Sequence, residues 1–250
     1  MSDLSDLFNA LQIPEACVVD RRIPKKRLGE EAPTAADRRR ISDSIERLQW
    51  RAVLKSGTTG ITGFKDQDRV VEELSVLELV LRSDRHANRV IELVHRAIPY
   101  LLVLLTKHER HLSISLADKR WSLAEKTRMV LDDDVLIADI DGDGEFASQL
   151  LEQLPLTRQP QSSLYSVYRG WINALVAFRV AAHTGEFSLP GSLEHAEHRQ
   201  GALKRVEMLD AEISRLRLSA SKERQMAKRA DFNLRLQELR SERAIALAAL

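Results

Sequence analysis

Residues 73–81 read Glu-Leu-Ser-Val-Leu-Glu-Leu-Val-Leu, an aliphatic run with no Gly or Pro inside it. Nine residues are too few for a typical helix, and the run reads as a strand with Glu78 in its middle. Upstream, residues 49–54 give a second strand, joined to the first through the loop Ser56-Gly57-Thr58-Thr59-Gly60-Ile61-Thr62-Gly63-Phe64. Downstream the period lengthens. Val90, Ile91, Val94, Ala97 and Ile98 recur at helical spacing over residues 88–98, and Pro99 stops that helix. Residues 100–106 and 111–116 then form a hairpin around Lys107-His108-Glu109-Arg110, the second arm alternating Leu112, Ile114 and Leu116 with His111, Ser113 and Ser115. Residues 126–131 add a fifth strand.

Before the sheet lie a short amphipathic helix over residues 2–12, a basic loop over 20–34 and a helix over 35–49 with Ile41, Ile45 and Leu48 on its apolar stripe. Helix, two strands, helix, three strands is the order of an α+β fold: a mostly antiparallel sheet of about five strands with helices on one face. Residues 146–154 and 164–183 are helical, which closes an α+β domain at residue 185. Residues 186–191, ending in Pro190 and Gly191, are a linker. From 192 to 250 there is no Pro and no Gly except Gly201, so this segment is a long helix. Val206, Leu209, Ile213, Leu216 and Ala220 follow heptad steps, as do Phe232, Leu236, Leu239, Arg243, Ala246 and Leu250. The two seams are out of phase, so the segment is either one coiled coil with a stutter or a helical hairpin bent between residues 221 and 231. Unbroken, it would reach about 85 Å at 1.5 Å per residue, more than one domain can shelter. A partner protein, a second copy or the helix folded back must cover its seam.

The 250 residues carry 38 Lys+Arg, 37 Asp+Glu, ten Gly, seven Pro and one Cys. Low Gly and Pro exclude collagen-like and loop-stapled folds, and Cys17 alone cannot make an internal disulfide. The first ten residues carry Asp3 and Asp6 in place of a basic leader, and no apolar run approaches the roughly 20 residues a membrane span needs. A soluble cytoplasmic protein is expected. The charge is uneven. Arg21, Arg22, Lys25, Lys26, Arg27, Arg38, Arg39 and Arg40 cluster at one end, whereas residues 130–154 hold eight carboxylates and no Lys or Arg. The cluster could track a phosphate backbone, sit solvated, or dock on the protein's own acidic stretch.

Catalytic and metal motifs fail on their spacing. Asp139-Ile140-Asp141-Gly142-Asp143-Gly144-Glu145 opens like a calcium loop, but its twelfth position is Leu150 where a bidentate Glu belongs. His195, His198 and His183 lack a fixed geometry for zinc, and a solvated helix end is the simpler reading. Gly57, Gly60, Gly63 and Lys65 lack the Gly-Lys-Ser/Thr of a phosphate loop. A metal-dependent nuclease needs an acidic residue two positions before a Lys on a strand, and none of the ten Lys has one; Glu73 and Glu78 remain the candidate ligands. Cys17 has no adjacent His. No cofactor is implied.

The ordered segments Ile23-Pro24-Lys25-Lys26, Trp50 with its strand, residues 73–81, Ala97-Ile98-Pro99-Tyr100, and the charged helix around residues 229–239 with Asn233 resemble the bacterial domain of unknown function 4391 family. The acidic stretch at 132–145 departs from that pattern. The resemblance implies an accessory protein, since similar genes lie beside helicase and DNA-methyltransferase genes in anti-phage defence or restriction-modification islands. Together with the residues, it points to a non-catalytic subunit that docks on a protein partner or DNA and assembles through Val206, Leu209, Ile213, Leu216, Leu236 and Leu239. Helicase or methyltransferase partners are the implied company, with no membrane contact. The alternatives are a nuclease using Glu73 or Glu78 and a DNA-binding module using residues 21–40.

Overall fold

A computed structural model of the chain describes residues 3–83, 85–123, 129–140, 144 and 146–250. In chain order its elements are α1 (Leu4–Ala10), β1 (Val18–Arg22), α2 (Lys25–Glu30), α3 (Ala35–Ser44), β2 (Ile45–Lys55), α4 (Ser56–Thr59), β3 (Phe64–Lys65), β4 (Val70–Val71), β5 (Glu73–Leu81), α5 (Ala87–Ala97), β6 (Leu101–His108), β7 (His111–Leu116), β8 (Lys119–Trp121), β9 (Met129–Leu131), β10 (Leu136–Asp139), α6 (Ala147–Gln153), α7 (Leu164–Thr184), α8 (Leu193–Lys222) and α9 (Met226–Leu247). The chain divides into two compact units, residues 1–175 and 176–250, with the boundary inside α7. Among the described residues no helix is long and apolar enough to cross a membrane.

The first unit is built on a mixed sheet of six strands in the order β1-β2-β5-β6-β7-β10. All neighbours are antiparallel except β5 and β6, which run parallel because α5 carries the chain back between them. Every residue from Leu74 to Leu79 and from Leu101 to Thr106 is buried. Consecutive buried positions on a pleated strand mean that both faces are covered. On one face Leu77, Leu79, Leu81, Leu102 and Leu104 pack under Val90, Ile91 and Val94 of α5, Ile41 of α3 and Leu28 of α2. On the other, Arg51 pairs with Glu78 and lies over the Phe8 ring of α1, and Lys107 pairs with Asp3. The helices therefore flank both faces, correcting the one-face expectation, and the sheet has six strands where five were expected.

Three expectations along the sheet fail for identifiable reasons. The helix expected over 35–49 ends at Ser44, and Ile45 begins β2. Ile45 and Leu48, three apart, share a sheet face because a bulge shifts the register between Ile45 and Arg47, so the spacing imitates a helix. The basic loop at 20–34 contains edge strand β1, paired as Arg21↔Trp50 and Arg22↔Gln49, followed by α2. All five β1 residues are exposed, so no alternation marks it. Of the strand expected at 126–131, residues 126–128 lie outside those described, and Met129–Leu131 pairs with β8 in a separate ladder. The last strand of the main sheet is instead β10, inside the acidic stretch, aligned Leu136↔Leu116 and Ala138↔Ile114.

Polar side chains lock the far side of this unit. The Tyr168 hydroxyl accepts from the Ala117 N–H at 2.9 Å and donates toward the Leu102 and Ala117 carbonyls, each at 3.0 Å. The Trp171 indole N–H donates to the Leu154 carbonyl at 2.8 Å. Both aromatic residues are fully buried, as their polar tips require partners when desolvated.

In the second unit, α8 and α9 fold back on one another as a hairpin. Val206, Leu209 and Ile213 face Leu236, Leu239 and Ala246, with Leu216, Leu247 and Leu250 at the margins. Cross-links at Arg243–Asp210 and Arg205–Glu242 match an antiparallel pair. Of the two arrangements compatible with the phase shift, the hairpin is the one observed. No Gly or Pro makes the bend. The Glu223 carboxylate accepts from the N–H groups of Arg224 and Gln225 at 2.8 and 2.9 Å, supplying bonds that the helix gives up there.

Candidate functional site

The eight cations of the basic segment divide by what they touch. Lys25 donates to the Ser42 and Ile45 carbonyls at 3.0 and 3.1 Å, capping the end of α3. Arg38 donates to the Gly29 carbonyl at 3.1 Å and ties α3 to α2, while Arg40 pairs with Asp37 at 2.8 Å. These three serve the fold. Arg21, Arg22, Lys26, Arg27 and Arg39 are exposed and have no side-chain partner among the described residues. They stand on one strand–helix–helix corner beside a hollow of about 580 Å³ lined by Lys25, Lys26, Glu30, Arg38 and the less polar Gly29, Ile41 and Ser42.

Asp37 makes that corner rigid. It is buried and accepts from Arg89 at 2.8 and 3.1 Å, from Arg40 at 2.8 Å and from the Thr34 hydroxyl at 3.0 Å, while its own N–H is capped by Thr34. The Arg89 hydrogen bonds hold its carboxyl far below the usual carboxylate range against the opposing cost of burial. The acidic stretch does not neutralise the basic corner through Asp132. That carboxylate accepts from Arg120 at 2.7 Å and faces Arg69 at 3.3 Å. Arg69 also pairs with Asp118 at 2.7 Å, which accepts from the Tyr165 hydroxyl at 2.6 Å.

A second group of cations escaped the sequence reading because it lies within the heptad pattern. At the root of the hairpin, Arg205, Arg243 and Arg179 pair with Glu242, Asp210 and Glu207. Toward the tip, Arg215, Arg217, Lys222, Arg224, Lys228 and Arg229 are exposed and form no ion pair among the described residues. Counting sign by sign along residues 213–230 would have revealed it, since Glu223 is the one carboxylate there.

The six seam residues named from the sequence lie together. Val206, Leu209, Ile213, Leu236 and Leu239 are buried within the hairpin, and Leu216 is partly covered. The seam that demanded a partner is thus sheltered by α8 and α9 themselves. Glu73 and Glu78, five positions apart on β5, sit on opposite faces of the strand. Glu73 pairs with Lys55 at 2.9 Å, and burial pushes the Glu78 carboxyl up beside Arg51. Gly57 lies in α4, and Gly60, at φ +73°, ends that helix in a left-handed conformation, so this loop is a capped strand connection. Cys17 is buried, its thiol 3.4 Å from the Thr58 hydroxyl. Of the candidate calcium loop, residues 141–143 and 145 lie outside those described. Among the described residues no group of three or more His, Cys, Asp or Glu could hold a metal ion.

A two-faced mixed sheet with uncommitted cations at one corner, together with a basic-tipped helical hairpin, defines an α+β protein with a helical appendage. The model of the family described as Domain of unknown function (DUF4391) matches residues 11–242, and the chain belongs to that family. No curated protein and no solved structure matches it.

Proposed function

We propose that the protein is a non-catalytic docking subunit that grips the phosphate backbone of duplex DNA within a bacterial anti-phage or restriction-modification-like assembly. The observation that carries this reading is the sorting of the basic segment. Lys25, Arg38 and Arg40 are consumed by the fold, while Arg21, Arg22, Lys26, Arg27 and Arg39 face solvent with their donors unspent. Arg dominates this set, and its planar fork suits phosphate oxygens. Holding the corner stiff through Asp37 reduces the ordering cost of presenting those side chains. The assembly type follows the genomic company of the family noted above, and any helicase or methyltransferase partner would meet surfaces other than the buried hairpin seam.

Fluorescence anisotropy with a labelled 20-bp duplex tests the reading. Five phosphate contacts give a log–log salt slope of about −4.5, and each Arg→Gln change among the five lowers its magnitude by about 0.9. A slope near zero, or variants that leave it unchanged, overturns the proposal.

A further inference from the structure

Beneath α5, the first unit holds a partly open cavity of about 280 Å³ lined by His95, Arg96, Lys119, Glu31, Pro33 and the β9 residues Met129, Val130 and Leu131. Two of its polar groups are buried without full satisfaction. His95 has no exposure; its Nε2 lies 3.0 Å from the Ser115 hydroxyl, and its Nδ1 has no partner. The Ser115 hydroxyl donates to the Leu104 carbonyl at 3.5 Å, so Nε2 carries the ring hydrogen toward Ser115 and Nδ1 is left an unspent acceptor. Lys119 is 2 % exposed, and its Nζ donates to the Ile98 and Tyr100 carbonyls at 2.5 and 2.6 Å. Those bonds use two of its three hydrogens, and no described carboxylate is within ion-pair distance. A buried ammonium without a counter-ion is costly unless an anion completes it.

The geometry points to a binding site for a small aliphatic carboxylate, one oxygen on the free hydrogen of the Lys119 ammonium and its chain against Pro33, Met129, Val130 and Leu131. The size fits. A cavity below the roughly 300 Å³ at which drug-sized pockets begin takes a ligand of a few carbons. Arg96 is engaged by Glu92 at 2.7 Å and Glu31 carries the opposite charge, so the Lys119 ammonium is the cation left for a ligand. The cavity shares Glu31, Arg96 and Met129 with a wider cleft of about 620 Å³ that also holds Glu72, Glu73, Trp121 and Tyr100, which supplies a way in past two further carboxylates. This site is independent of the basic corner and stands or falls apart from DNA binding.

Burial lowers the Lys119 ammonium to about 7, and burial with the Lys119 charge keeps His95 neutral. The charged groups that face Lys119 are Arg96 from α5 and Glu31 after α2; β9 contributes only apolar side chains. Binding a carboxylate favours the protonated lysine, so above pH 7 it takes up a proton and the affinity falls about tenfold per pH unit. Calorimetry of the full chain with sodium butyrate at pH 8, in two buffers of different ionisation enthalpy, reads both quantities. Butyrate should bind with uptake of close to one proton, and neutral butyramide should not bind. Lys119→Met should abolish binding; because it also strips two carbonyls of their donor, Val130→Phe, which fills the cavity, should abolish binding at an unchanged melting temperature. Equal binding of butyramide, butyrate binding without proton uptake, or no butyrate heat at millimolar concentration overturns the proposal and leaves the cavity to water.

Discussion

Leu239→Ala is the sharpest probe of the hairpin. Leu239 is 1 % exposed and packs among Val206, Leu209 and Ile213, so truncation removes three buried carbons from the centre of the seam. Leu→Ala changes in cores cost roughly 2–5 kcal/mol, and a two-helix layer can close partly around the gap, which places this one at about 2–3 kcal/mol. That is a drop of about 30- to 150-fold in the folding equilibrium of the unit. Urea titration followed at 222 nm measures it, with sedimentation velocity on the same samples for mass. Ile245→Ala is the paired control: Ile245 is 72 % exposed, and its loss should stay within about 0.5 kcal/mol. Sedimenting mass should be unchanged in both. If Leu239→Ala proves as mild as Ile245→Ala, or lowers the mass without lowering stability, the seam is an interface between chains and the hairpin account fails.

Asp37 has a depressed folded-state value, so its contribution to stability is present above the unfolded value near 4 and is lost as pH falls through the lower folded one. Asp37→Asn should cost about 2 kcal/mol at pH 7 and flatten the acid limb of the stability–pH curve below pH 4, as measured by denaturant titration. Replacing Arg215, Arg217, Arg224 and Arg229 together by Gln should leave the melting temperature unchanged, because no ion pair is lost. If the hairpin tip also meets DNA, the same variant lowers the salt-slope magnitude by about 3.6 beyond the effect of the basic corner. Supercoiled plasmid should stay intact with Mg²⁺ or Mn²⁺; cleavage that disappears in Glu78→Ala would replace the docking role with a nuclease one.

Legibility in the sequence followed burial. The segments 73–81, 88–98 and 111–116 declared themselves because β5 is buried on both faces, α5 carries an apolar stripe, and β7 alternates aliphatic with polar residues in sequence, although all of Leu112–Leu116 is buried. The boundary between α3 and β2 was hidden because a bulge puts Ile45 and Leu48 on one face at a helical interval. β1 was hidden because its edge position leaves Val18 and Val19 outward among charges, and β10 because four residues in an acidic setting carry little period. Among site residues, the basic cluster was visible by composition, but which of its members are free depends on the backbone carbonyls that Lys25 and Arg38 reach. The cavity was invisible: His95 and Lys119 are 24 positions apart, share no motif, and meet only because β8 lies against the end of α5.

The elbow at Glu223 leaves the C-terminal unit one side chain away from another topology. Nothing in residues 202–250 forbids a continuous helix, since the segment has neither Gly nor Pro. With Glu223→Ala the two arms can fuse into a rod about 80 Å long, at 1.5 Å per residue. Such a rod would bare both apolar seams at once, and the cheapest way to cover them is to trade arms with a neighbouring molecule. The same greasy stripe that seals a single chain would then zip two together, and a carboxylate that touches only backbone amides would determine how many chains travel as one.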